Sequence, residues 1–198
     1  MASGKDQTAR KVPATRRSGR VGCTVLGALL LTWAPLAWAA SAAGEYQVKA
    51  AFLYNFAKFV NWPGADGGQS AFVLCILGDD PFGAGINAIA GKQVGGRTLQ
   101  VRRLGSADGA AACQVLFIAS SESGGLSRVL GAIRGRPVLT VGDTPGFAER
   151  GVVINLYVEQ SKVRFEINVD AAKRAGLNIS SQLLKLARIT KDGGAADG

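Results

Sequence analysis

Apolar positions change their period along this chain, and each change marks an element. Between Glu45 and Val60 they recur at helical spacing, with Val48, Phe52, Asn55/Phe56 and Phe59 in line and Ala51, Leu53 and Val60 widening the stripe. That spacing puts them on one face of a helix. Trp62-Pro63 ends it, because proline pushes the preceding residue out of the α region. Gly64 to Ser70 reads as a flexible loop. Phe72 to Leu77 is then an unbroken apolar run closed by Gly78-Asp79-Asp80-Pro81. A run with no polar face suits a central strand of a sheet covered on both sides. Pro81 to Ala90 predicts a helix, with Pro81 in the first turn and Gly91 at the end. Leu99 to Leu104 predicts a strand nearer an edge, and Cys113 to Ala119 another apolar strand. Leu126 to Ile133 predicts a helix closed by Gly135, Pro137 to Gly142 a strand, and Asp143 to Arg150 a turn and short helix.

The last third shifts to period two. Val152 to Gln160 is rich in β-branched and aromatic residues. After Ser161-Lys162, Val163, Phe165 and Ile167 alternate with Arg164, Glu166 and Asn168. Two such runs across a short polar break predict a β-hairpin. Asp170 is placed to cap a helix over Ala171 to Ala175 that Gly176 stops, and Ser180 to cap another carrying Leu183, Leu186 and Ala187 on one face. Strands alternating with helices imply βαβ crossovers. The expected fold is therefore a single α/β domain: a mainly parallel sheet with helices on both faces, ending in a C-terminal β-hairpin followed by short helices.

The first 39 residues do not belong to that domain. Lys5, Arg10, Lys11, Arg16, Arg17 and Arg20 precede an apolar run from Val21 to Trp38, and Ala37-Trp38-Ala39 supplies small residues for a cleavage site. This is the layout of a secretory signal peptide covering residues 1–39. An uncleaved anchor is the competing reading, since a span needs roughly 17–25 residues. Pro35 and the small-residue exit favour cleavage, which leaves no stable membrane insertion. Cleavage would remove six basic residues and one acidic one, lowering the net charge from +9 to +4. No basic run or helix face concentrates what remains, so nucleic acid is not an expected partner. The domain is expected over residues 45–190, with a flexible tail at 191–198.

Candidate chemistry is sparse. The chain has no histidine, so it can form neither a Ser/His or Cys/His pair nor a His-ligated metal site. Gly78 to Gly85 follows a strand but lacks the spacing and the Lys-Ser/Thr pair of a phosphate loop. Asp79-Asp80 sits where receiver domains hold a divalent cation, yet Ser120-Ser121-Glu122 offers no acceptor aspartate, so a solvated turn is the simpler reading. Catalytic residues, metal and cofactor are all expected to be absent. Once the leader with Cys23 is gone, Cys75 and Cys113 remain, an even pair in a disulfide-permissive compartment. Neighbouring strands can supply the roughly 4.4–6.8 Å Cα separation a disulfide needs. Two buried thiols are the alternative.

Several strings together resemble the YfiR family of small periplasmic proteins of Gram-negative bacteria. They are Glu45 to Val60 followed by Trp62-Pro63; Cys75-Ile76-Leu77-Gly78; Cys113 to Ile118 with Ser121-Glu122; Val138 to Asp143; Phe165-Glu166-Ile167-Asn168; and Ala171-Ala172, Ala175-Gly176-Leu177, Ser180-Ser181 and Leu183 to Ala187. The resemblance spans about residues 45 to 189. It implies a non-enzymatic periplasmic repressor that binds the periplasmic sensor region of an inner-membrane diguanylate cyclase and keeps cyclic-di-GMP, a biofilm signal, low. It also favours the Cys75–Cys113 bond, since the family carries redox-responsive disulfides. The second pair seen in some relatives is missing here. A small-ligand or cell-wall-fragment binder feeding a membrane sensor kinase is the alternative.

The expected partner surface is an exposed apolar surplus near the C-terminal unit, on the hairpin and between the two short helices that follow it. If the hairpin forms the sheet edge, the core covers one side of it and Tyr157, Val158, Phe165, Glu166, Leu177 and Ile179 are left for a partner or a homodimer contact. Complete coverage by the terminal helices is the competing expectation.

Overall fold

The computed structural model describes residues 34–62 and 71–193, with side chains from Gly44 onward in the first helix. The leader at 1–39 therefore falls mostly outside the described residues, as do the loop at 64–70 and residues 194–198 of the tail. Helix α1 (Ala34–Phe59) passes through the expected cleavage junction and leads into β1 (Val60–Asn61).

Strand β2 (Ala71–Leu77) is followed by a 3₁₀ turn at Gly83–Ala88, where a full helix was predicted. The short β3 (Gln93–Val94) turns back through Gly95-Gly96 into β4 (Arg97–Leu104). A 3₁₀ segment at Ala107–Ala112 precedes β5 (Val115–Ile118), α2 (Leu126–Ala132) and β6 (Leu139–Gly142). Residues 145–151 form consecutive turns rather than the expected short helix. The hairpin is β7 (Ile154–Glu159) and β8 (Lys162–Asn168), turning through Gln160 and Ser161 at positive φ. Then come α3 (Val169–Arg174), β9 (Asn178–Ile179), α4 (Ser181–Leu186) and β10 (Arg188–Thr190).

Among the described residues the main sheet runs β10-β8-β7-β6-β5-β2-β4-β3, and β1 pairs separately with β9. The strands from β4 to β7 are parallel, β8 returns antiparallel to β7, and β10 lies parallel along β8. The molecule is thus a mixed α/β domain with a mostly parallel sheet. Side chains alternate between two cores. Phe72, Leu74, Ile76, Val115, Phe117, Val141, Ile154 and Leu156 pack with α1, α3 and α4; Val73, Cys75, Leu77, Leu116 and Ile118 pack with α2 on the other face. That double coverage explains why the central strands show no polar face.

Two sequence expectations shift in phase. The buried stripe of α1 runs through Lys49, Leu53 and Phe56 toward Val60 of β1, with Ala50 and Ala57 beside it, while Val48 and Phe59 face outward. The cap of α3 is Asn168, whose side chain accepts the Ala171 N–H at 2.9 Å, rather than Asp170. Ser180 caps α4 as its position predicts, accepting from the Leu183 N–H. Residues 191–193, placed in the tail by sequence, are tethered. Asp192 takes hydrogen bonds from Asn168 Nδ2 at 2.7 Å and Arg174 Nη2 at 3.0 Å, and the Gly193 N–H donates to Glu149 O.

Candidate functional site

In open α/β sheets ligands bind outside the carboxyl ends of the strands, where the strand order reverses. Here that point lies between β2 and β5, because β4 is placed on one side of β2 and β5 on the other. The two loops are pressed together. The Asp79 N–H donates to Ser121 Oγ at 3.0 Å, and a Cβ on Gly78 (φ +87°) would stand 2.4 Å from that oxygen. Only glycine tolerates such an approach. Asp80 accepts the Phe82 N–H at 2.8 Å and pairs with Arg103 at 2.7 Å. Among the described residues no three His, Cys, Asp or Glu side chains gather to hold a metal.

The first turns of α1 that carry described side chains reach over the same ends of the strands, to Phe82 after β2 and Asp143 after β6. Lys49 Nζ lies 2.7 Å from Asp143 Oδ2 and 2.6 Å from Glu45 Oε1, and the Tyr46 hydroxyl donates to the same Asp143 oxygen at 2.9 Å. The Lys49 ammonium also sits 4.3 Å from the centre of the Tyr46 ring, and Tyr46 packs edge-on against Phe82. Burial, then the Asp143 charge, pushes the Tyr46 phenol up to about 12. Burial opposes protonation of Lys49, yet its bonds to Asp143 and Glu45 outweigh that and raise its pKa. Each polar group is satisfied by another, so the cluster acts as a clamp holding α1 across the strand ends. Sequence reasoning missed it. The available signal was Glu45 four residues before a lysine embedded in an apolar helix stripe.

On the opposite face Cys75 of β2 and Cys113, just before β5, are joined in a disulfide with Cα atoms 5.9 Å apart. Both residues are buried among Leu116, Ala110 and Ile133. A thiolate must reach a sulfur to exchange with it, so reduction requires this core to open.

The expected partner residues divide. Phe165, Glu166 and Leu177 are buried, so the surface placed there is corrected. Two things cover them: α1 and the core beneath it bury Phe165 and Leu177, and β10, which lies along β8 and takes the sheet edge from the hairpin, brings Arg188 onto Glu166. Phe165 packs tilted against Phe52 and edge-on against Phe56, with ring centres 5.7 and 5.1 Å away. Glu166 Oε1 accepts from Asn155 Nδ2 at 3.1 Å, and its other oxygen takes the Arg188 guanidinium. Leu177 joins the α1-side core, while Ile179 in β9 is half-buried beside it. Tyr157 is half-buried under the Arg188 guanidinium, 4.6 Å from its ring centre. Val158 remains exposed. The most exposed large apolar side chains among the described residues are Leu186 at 76 %, Val158 at 50 % and Ile189 at 49 %. Leu186 and Ile189 flank Arg188 where β10 forms one outer edge of the sheet.

The sequence profile of the YfiR/HmsC-like family matches residues 46–188, from the clamp tyrosine to the first residue of β10. Among solved structures, a conserved domain protein from Vibrio cholerae O1 biovar El Tor str. N16961 shares this fold at a TM-score of 0.52 and 13 % identity, covering 74 % of this chain and 60 % of its own. The ABC domain in complex with L-Trp from Streptococcus pneumoniae matches at 0.49 and 12 % identity, over 73 % of this chain and 60 % of its own. This chain therefore spans about 60 % of the length of the solved chains it matches. The Vibrio likeness concerns the fold alone.

Proposed function

The chain belongs to the YfiR/HmsC-like family, and on that premise we propose that it is a periplasmic regulator without catalysis of its own. In this reading it binds the periplasmic sensor region of an inner-membrane diguanylate cyclase and holds the enzyme inactive. The family match over residues 46–188 carries the proposal. No helix of the described residues is long and apolar enough to cross a membrane, and export would come from the leader at 1–39. A ligand protein that prefers one receptor conformation shifts the population by its differential affinity, so repression needs a binding surface and no chemistry.

The surface we assign to the partner is the β10 edge, with Leu186, Ile189 and the hairpin residues Tyr157 and Val158. An outer strand presents unpaired backbone groups, and recognition by strand addition uses such an edge together with neighbouring apolar side chains. The working unit is taken to be a homodimer, and a monomer mass in sedimentation of the processed protein would remove that part. Val158→Glu and Ile189→Asp, first checked for native circular dichroism, are expected to raise cellular cyclic-di-GMP toward the level of a deletion strain. Full repression by both folded variants would place the surface elsewhere. A deletion strain with unchanged cyclic-di-GMP would end the functional reading itself.

A further inference from the structure

At the end of the sheet where β6 and β7 begin, opposite the clamp, a half-open cavity of about 450 Å³ lies between the last turn of α2 and helix α3. Four arginines line it: Arg134, Arg136, Arg150 and Arg174, with no carboxylate among the lining residues. Two of them are held in place. Arg150 Nη2 donates to Ser123 O at 2.8 Å, and Arg174 gives both of its Nη groups to the Asp192 carboxylate. The side chains of Arg134 and Arg136 make no ion pair or hydrogen bond with any described residue. The floor is apolar and includes Leu130 and Val153. Gly151, at φ +102°, forms part of the wall, and a Cβ there would meet Leu130 at 3.4 Å and Arg174 Nη2 at 3.6 Å.

We propose that this cavity binds a small organic anion, a phosphate ester or carboxylate carried on an apolar body. The volume falls within the roughly 300–1,000 Å³ of small-molecule sites. Guanidinium groups present forks of donors that match phosphate and carboxylate oxygens. The unpaired forks of Arg134 and Arg136, with Arg150 beside them and the Arg174 charge already met by Asp192, stand around an apolar floor and select a ligand charged at one end and greasy at the other. The site is independent of the β10 edge, so either assignment can fail without the other.

Titration calorimetry on the processed protein tests it with phenyl phosphate, benzoate, inorganic phosphate and neutral benzyl alcohol as probes. One of the two aromatic anions is expected to bind saturably, at least about tenfold tighter than inorganic phosphate or benzyl alcohol, a gap of about 1.4 kcal/mol. Which of the two binds tighter distinguishes a phosphate ester from a carboxylate. Arg134→Gln combined with Arg136→Gln is expected to weaken that binding at least tenfold with an unchanged melting temperature, because both side chains are exposed. Arg102→Gln, on β4 outside the cavity, is expected to change nothing. Amide shifts on titration should fall at residues 130–136 and 150–153. The proposal is overturned by any of four results: no saturable binding up to about 10 mM, far at the weak end of the affinity scale; equal binding by the double variant; an equal loss in the Arg102 control; or shifts confined to other segments.

Discussion

Replacing Lys49 by methionine is the most direct test of the clamp. The Lys49 and Asp143 side chains are 5 % and 6 % exposed and 2.7 Å apart. At that distance and an effective dielectric of about 20 their attraction is about 6 kcal/mol. Desolvation of two ions costs several kcal/mol each, so the intact pair contributes little net stability. Removing only the lysine is different: methionine fills the volume of its stem, but Asp143 stays buried with the Tyr46 hydroxyl as its remaining clamp partner. Breaking a buried pair in this way costs about 3–5 kcal/mol, a large part of the roughly 5–15 kcal/mol that stabilises a typical domain. Urea unfolding followed by tryptophan fluorescence, with the disulfide intact, should show a lower midpoint at constant slope. Adding Asp143→Leu and Tyr46→Phe removes the orphaned groups together and should restore most of the loss, giving strong non-additivity. A Lys49→Met cost below about 1 kcal/mol, or a triple variant no more stable than the single one, would refute the reasoning.

Two further outcomes are expected. Changing Cys75 and Cys113 together to alanine releases a crosslink of sequence separation 38 and should cost about 4 kcal/mol in urea unfolding; a difference under about 0.5 kcal/mol would show that the bond does not restrain the unfolded chain. The raised Tyr46 phenol makes the native state bind its proton more tightly than the unfolded state, whose reference value is 10.0. Its contribution is complete below that pH and lost as pH climbs toward about 12. Tyr46→Phe should delete the highest component of the phenolate absorbance titration, and survival of that component would disprove the assignment.

Local pattern alone determined much of the scaffold. The runs at Phe72–Leu77, Cys113–Ala119 and Pro137–Gly142 mark central strands because both faces of this sheet are covered, and the alternation at Val163–Ile167 marks the hairpin strand. Ser180 is legible as a cap because capping needs only the next three residues. Asn168 outcompetes Asp170 for a reason the local sequence does not hold: its amide also donates to Ala148 O and to Asp192. The pairings of β1 with β9 and β10 with β8 rest on two or three residues each, too short for any periodicity to register. Phe165, Glu166 and Leu177 read as spare surface only while the packing of α1 over the hairpin and the position of β10 are unknown. Lys49 is the sharpest case. A lysine in a helix reads as solvent-facing, so the apolar stripe of α1 is drawn one position out of phase. Whether that charge can be buried depends on a carboxylate 94 positions away, and only the tertiary fold brings the two together.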